Sequence, residues 1–173
     1  MPDDRVAALV AELDATRDAF SDALAGADAQ LLTAPGLVGD WSARELIAHL
    51  AHWDRWATTC LEHPSTDGLA SLVTGEWDVD AQNAEVAARA AGMSLDAVRD
   101  DEAKAFAAFR ERLASLDDAA LDVQAPWGGT LETVVRENGP DHYRPHAEEV
   151  AAWFGGGDDD TDDEPGQGRQ LGK

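Results

Sequence analysis

From Asp4 to Leu24 the apolar residues Val6, Leu9, Val10, Leu13, Phe20 and Leu24 recur at spacings of three, four and seven, which puts them on one face of a first helix. Gly26, Pro35, Gly36 and Gly39 then predict a long irregular connection ending in a turn. The second helix has the clearest start. Ser42 can cap the free amides, Glu45 can reach back to complete a capping box, and Trp41 and Leu46 occupy the positions of a hydrophobic staple. It should run to about Leu61 with Leu46, Leu50, Trp53, Ala57 and Cys60 as its apolar stripe, His49 on the stripe's edge and His52 further round toward solvent.

After His63 and Pro64 the chain to Glu76 is rich in Gly, Ser and Thr and reads as a surface loop, long enough to cover the mouth of a pocket. Trp77 to Ala91 predicts a short helix carrying Val79, Asn83 and Val86, ended by Gly92. Capped by Ser94, a third long helix places Leu95, Val98, Phe106, Phe109, Leu113 and Leu116 on one stripe, with Glu102 in the remaining stripe position, and should end near Asp117. The segment Ala125–Thr130 is a turn. A last helix begins near Leu131 and aligns Leu131, Val135, Asn138, His142, His146, Glu149, Val150 and Trp153, with a break expected at Gly139 and Pro140 and continuation to Phe154.

Four long helices with no convincing strand predict an all-α fold, an antiparallel four-helix bundle with a short extra helix, spanning residues 1–154 as one domain. From Gly155 to Lys173 the chain loses apolar periodicity and becomes charged and glycine-rich, the composition of a disordered acidic tail.

Charge narrows the partners. Thirteen Lys and Arg stand against 35 Asp and Glu, a formal net charge of -22, which excludes nucleic acid, whose phosphates require clustered cations, and argues against an anionic membrane. No segment approaches the roughly 20 apolar residues of a membrane span, and the N-terminus has no basic region leading into an apolar core, so a soluble, cytoplasmic protein is expected. Such acidity suits a protein kept soluble in high salt or one encoded by a GC-rich genome. Cys60 is the only cysteine. It rules out an internal disulfide and a thiolate metal cluster, and at a helical stripe position it reads as a small core hydrophobe.

Of the five histidines, His142 and His146 lie one turn apart in the run HYRPH, and His49 can meet them across the bundle. Three neutral imidazoles from two elements can hold a divalent metal and leave a coordination position open for water or substrate, as catalytic zinc sites do. The alternative is three half-buried histidines, each hydrogen-bonded to backbone or a carboxylate. Spacing alone leaves both open. Glu149, seven residues after His142, is a candidate to orient a ligand or act as a base, and His52 is a candidate for a supporting or catalytic part. Asn83 and Asn138 are candidates for pocket polarity, whereas Trp41, Trp53, Trp127 and Trp153 read as core and staple residues rather than substrate walls.

The segments GLVGDWSARELIAHLAHW, VDAQN and WGGTLETVVRENGPDHYRPHAEEVAAWF resemble the DinB-like superfamily of four-helix bundles, most closely its ClbS/DfsB branch, over nearly all of residues 4–154. The resemblance implies a divalent metal, often nickel or zinc, on three histidines corresponding to His49, His142 and His146. Similar members are metal-dependent thiol transferases that use a low-molecular-weight thiol, mycothiol or bacillithiol, and mycothiol-dependent maleylpyruvate isomerases. The ClbS-like branch implies instead protection against a genotoxin by hydrolytic opening of an electrophile, without a required metal. Pro140 and Pro145 depart from an ideal ligand-bearing helix. The expected function is therefore detoxification or stress resistance by a small enzyme, a hydrolase or a thiol transferase, acting on an electrophilic small-molecule substrate. A homodimer is also implied. The alternative is a non-catalytic bundle that binds a ligand or serves as a dimerising scaffold.

Overall fold

The computed structural model describes residues 4–155; the acidic tail predicted from Gly155 onward lies, apart from that glycine, outside the described residues. Eight α-helices follow in order: α1 (Arg5–Leu24), α2 (Ala29–Leu32), α3 (Ala43–Glu62), α4 (Thr66–Leu72), α5 (Val79–Ala91), α6 (Leu95–Ala114), α7 (Leu131–Asn138) and α8 (Pro140–Gly155). A 3₁₀ turn, Asp118–Asp122, joins α6 to the Ala125–Thr130 turn. Among the described residues there is no strand, only isolated bridges between Val38 and Trp41 and between Gln124 and Thr130.

The bundle is built from α1, α3, α6 and the broken pair α7 and α8, with α3 packed on α6, α1 on α8, and α5 laid against α3. The apolar stripes meet in one core in which Leu9, Leu13, Leu46, Leu50, Phe109 and Leu113 are fully buried, each such side chain contributing about 1.5–3 kcal/mol. No helix among the described residues is long and apolar enough to cross a membrane.

The helix starts follow the sequence. Asp4, Ser94 and Thr130 cap α1, α6 and α7 through their side chains. At α3 the capping box is complete: Glu45 accepts from the Ser42 amide at 2.9 Å and also bonds the Ser42 hydroxyl. The break at Gly139 has a steric cause. A Cβ there would stand 2.8 Å from the Val135 carbonyl oxygen, 2.9 Å from Leu13 and 3.2 Å from Phe109, so only glycine lets α1 and α6 come this close. Pro140 follows as the first residue of α8, where its missing N–H costs nothing. Pro145 lies inside α8 on an exposed position.

Three expectations are corrected. The Pro64–Glu76 segment is not wholly loop: Ser65 caps the short helix α4, whose Leu69 is fully buried, so one well-placed apolar residue anchors it against the core. The connection after α1 contains the single turn α2, capped by Asp28 and held by buried Leu32. The third long helix stops at Ala114, three residues short, because Ser115 and Leu116 turn back onto the Arg112 and Leu113 carbonyls.

Under α8 the core is polar at one point. The Tyr143 hydroxyl lies 2.7 Å from Asp54 Oδ2 and 3.0 Å from Glu102 Oε1. Arg17 donates from Nε and Nη2 to the two oxygens of Glu102 at 3.2 and 2.9 Å. A phenol carries one proton and cannot donate to both carboxyl groups. Glu102, paired with Arg17, is the ionised one, so the proton shared by Asp54 and Tyr143 belongs to Asp54. Burial, the main cause, holds the Asp54 carboxyl well above its ordinary range.

Candidate metal centre

The phase of α3 turns His49 inward, and the one-turn spacing of His142 and His146 along α8 brings both to meet it. One ring nitrogen from each of the three lies within 4.8 Å of the others. His49 Nε2 and His142 Nε2 stand 2.8 Å apart. His49 is buried, His142 and His146 half-buried.

Neighbours fix how the outer two rings present themselves. Asn83 Oδ1, on α5, stands 3.0 Å from the Trp53 indole nitrogen and 3.1 Å from His49 Nδ1. An indole N–H only donates, so the atom it meets is the amide oxygen, and His49 must donate to that oxygen from Nδ1. The lone pair of His49 is left on Nε2, facing the other rings. His146 Nδ1 lies 2.6 Å from Glu149 Oε2, so the carboxylate draws the proton to that nitrogen and leaves Nε2 free. The two arrangements match the outer contacts that orient metal-bound imidazoles.

His142 has the opposite problem. Its Nδ1 is buried with no hydrogen-bond partner among the described residues, an expensive state for a polar atom. Burial, then repulsion by His49 and His146, pushes His142 down to about 3; burial first, then His146, pushes His49 down to about 4. Both are neutral at physiological pH, the form a metal requires.

A tetrahedral ion with bonds of about 2.0–2.1 Å to nitrogen needs its ligand atoms roughly 3.3 Å apart. The observed separations, from 2.8 Å to no more than 4.8 Å, bracket that value. The three histidines therefore fit a divalent ion with modest side-chain adjustment.

His52 is not brought into this group. It is half-buried on another side of α3, with Nε2 3.3 Å from Gln82 Oε1, and opens into a separate cavity with Arg55, Arg89 and Asp101. Burial lowers its pKa. Cys60 is fully buried, and burial pushes its thiol up to about 12. It offers no thiolate.

Beside the histidines lies a cavity of about 250 Å³ walled by His49, His142, Trp53, Asn83, Glu137 and Asn138. Trp53, Glu137 and Asn138 are shared with an adjoining cleft of about 330 Å³ whose other walls include Trp56, Trp77 and Trp127. The tryptophan expectations thus need correction. Trp53 is buried, but Trp127 is 44% exposed, because Gly128 and Gly129 take positive φ and the tight turn holds its indole off the core. Trp153, equally exposed, lies over Gly36, where a Cβ would come within 3.0 Å of its ring. Trp41 sits against the His49 ring at 5.2 Å between centroids. Glu137, Trp56 and Trp77 were not foreseen as walls. The only sequence signal was four tryptophans within one stretch and its facing turn.

The family model described as mycothiol maleylpyruvate isomerase N-terminal domain matches residues 13–152. Two solved structures share the fold. A mycothiol-dependent maleylpyruvate isomerase is 18% identical with a TM-score of 0.65, and a histidine-to-alanine mutant of such an enzyme is 15% identical with a TM-score of 0.67. Each likeness covers 84% of this chain and 60% of the solved one, so the chain spans less than two thirds of their length. No curated protein matches the chain. On the family match over residues 13–152 and the all-helical fold, the chain belongs to the mycothiol maleylpyruvate isomerase N-terminal domain family, a DinB-like family.

Proposed function

We propose that the protein is a metal-dependent enzyme in which His49, His142 and His146 hold a divalent ion, zinc or nickel, and an external low-molecular-weight thiol such as mycothiol is transferred to, or isomerises, an electrophilic small molecule. The observation that carries this reading is the convergence of three ring nitrogens whose outer partners, Asn83 and Glu149, leave lone pairs facing one point. A bound ion would supply Lewis acidity, lowering the pKa of a coordinated thiol or water. The thiol must come from outside, since Cys60 is buried and protonated. Asn83 and Glu149 fix the imidazoles, Trp41 and Trp53 shield them from bulk water, and the adjoining cleft receives the electrophile. His52, in another cavity, has no part in the chemistry.

The family membership supports the thiol. A cytosolic role in detoxification or stress resistance suits this chemistry. The test is turnover of mycothiol with a generic electrophile such as monochlorobimane. Zinc- or nickel-loaded protein should accelerate conjugation, and His142→Ala, folded by circular dichroism, should not; equal rates in both would overturn the reading. The ClbS/DfsB placement, with water in place of the thiol, has the WSARELIAHL and HYRPH segments in its favour. Hydrolysis of an electrophile without added thiol would support it.

A further inference from the structure

The cleft beside the histidines has an unusual electrostatic make-up. Its walls include Trp53, Trp56, Trp77 and Trp127, and neither it nor the cavity it joins is lined by a lysine or arginine. The charged side chain shared by the two is Glu137, which is exposed and makes no ion pair among the described residues. The indoles form a continuous wall: Trp56 lies 4.6 Å from Trp77 and 6.0 Å from Trp127 between ring centroids, and Trp53 6.5 Å from Trp77. Trp77 and Trp127 are 41% and 44% exposed, so their rings are open to an incoming molecule.

Indole faces carry the negative side of the ring quadrupole and attract cations. Without a metal on the histidines, a carboxylate entering this cleft would meet those faces, the Glu137 carboxylate and the field of a chain with net charge -22, and no lysine or arginine in its walls to compensate. A positively charged group would meet the indole faces and the Glu137 carboxylate. At about 330 Å³ the cleft has the size of a small-molecule site.

We infer that this cleft binds a small organic cation, an amine or quaternary ammonium on an apolar or aromatic frame, with the charge between the indole faces and Glu137. The cleft shares Trp53, Glu137 and Asn138 with the cavity beside the histidines, so such a molecule would be the electrophile or its carrier. Only that last assignment rests on the proposed function; the binding itself needs no metal.

Quenching of tryptophan fluorescence measures this directly, with three probes sharing a phenyl body: benzyltrimethylammonium, uncharged 3-phenylpropanol and anionic 3-phenylpropanoate. Titrations in about 0.5 M sodium chloride shorten the screening length to roughly 4 Å and suppress the pull of the distant surface charge. The cation should bind about three- to fivefold more tightly than the alcohol, and the carboxylate more weakly than either. Glu137→Gln should shrink that preference, while Glu148→Gln, also exposed, should leave it unchanged. Equal affinity for cation and carboxylate, a preference untouched by Glu137→Gln, or an equal effect of Glu148→Gln would overturn the inference. The same titrations on His142→Ala separate the two ideas: cation binding that persists without metal sustains the cleft even where the metal reading fails.

Discussion

Replacing Tyr143 with phenylalanine removes one oxygen from a fully buried position where it faces Asp54 at 2.7 Å and Glu102 at 3.0 Å. The loss is more than one hydrogen bond. A bond to a charged partner such as Glu102 contributes about 1.5–3 kcal/mol, and stranding the Asp54 proton in the core costs about 1–3 kcal/mol more. The two overlap, and a net loss of about 3 kcal/mol is expected, or roughly 6–12 °C in Tm for a domain of this size. Urea unfolding followed by circular dichroism gives the free energy, and calorimetry the Tm. A loss below about 0.5 kcal/mol would refute the network. Asp54→Asn, whose amide can donate to Tyr143 as the acid does, should cost little. The pH dependence then tests the proton count. Because the folded pKa of Asp54 is raised, its contribution is fully present below the unfolded value of about 3.9 and is lost as pH rises through the folded value. The stability of the native protein relative to Asp54→Asn should therefore fall as pH increases from 4 upward. A flat difference would show that Asp54 ionises normally.

Three further predictions follow from single contacts. Gly139→Ala would press a methyl group against the Val135 carbonyl and Leu13, and should destabilise the fold by about 1–3 kcal/mol in urea titration. Asn83→Leu removes the oxygen that fixes the His49 tautomer, and should weaken zinc affinity about 10–100-fold in a chelator competition assay with the helical spectrum intact. Cys60, buried at a pKa pushed up to about 12, should react with a thiol-specific disulfide reagent only after unfolding, and Cys60→Ala should conjugate thiols as fast as the native protein.

Much of this architecture was legible in the sequence, for identifiable reasons. Helix α3 announced itself because the Ser42 and Glu45 capping box and a regular apolar stripe agree, and the break at Gly139 because glycine before proline has few other uses. Helix α4 was missed because its four turn-forming residues outweigh one buried leucine, Leu69, whose importance is tertiary. At the site, helical phase alone was enough to expect His49, His142 and His146 near one another. What phase cannot give is the tautomer. That depends on Trp53 and Asn83 meeting at one oxygen from two helices. Nor can it give Asp54, which reads as an ordinary acidic residue until its pairing with Tyr143 is seen across 89 residues. The aromatic cleft escaped for the same reason: exposed Trp127 depends on the φ of two glycines that follow it.

The claim on which the functional reading stands is that three histidines bind one divalent ion. Mass-spectrometric metal analysis of protein purified without a histidine tag, alongside His142→Ala prepared identically, tests it most directly. The reading predicts close to one zinc or nickel ion per native chain and near-complete loss in a variant that keeps its helical spectrum. Metal-free native protein that also fails to take up either ion when supplied, or a variant that retains the metal, would contradict it.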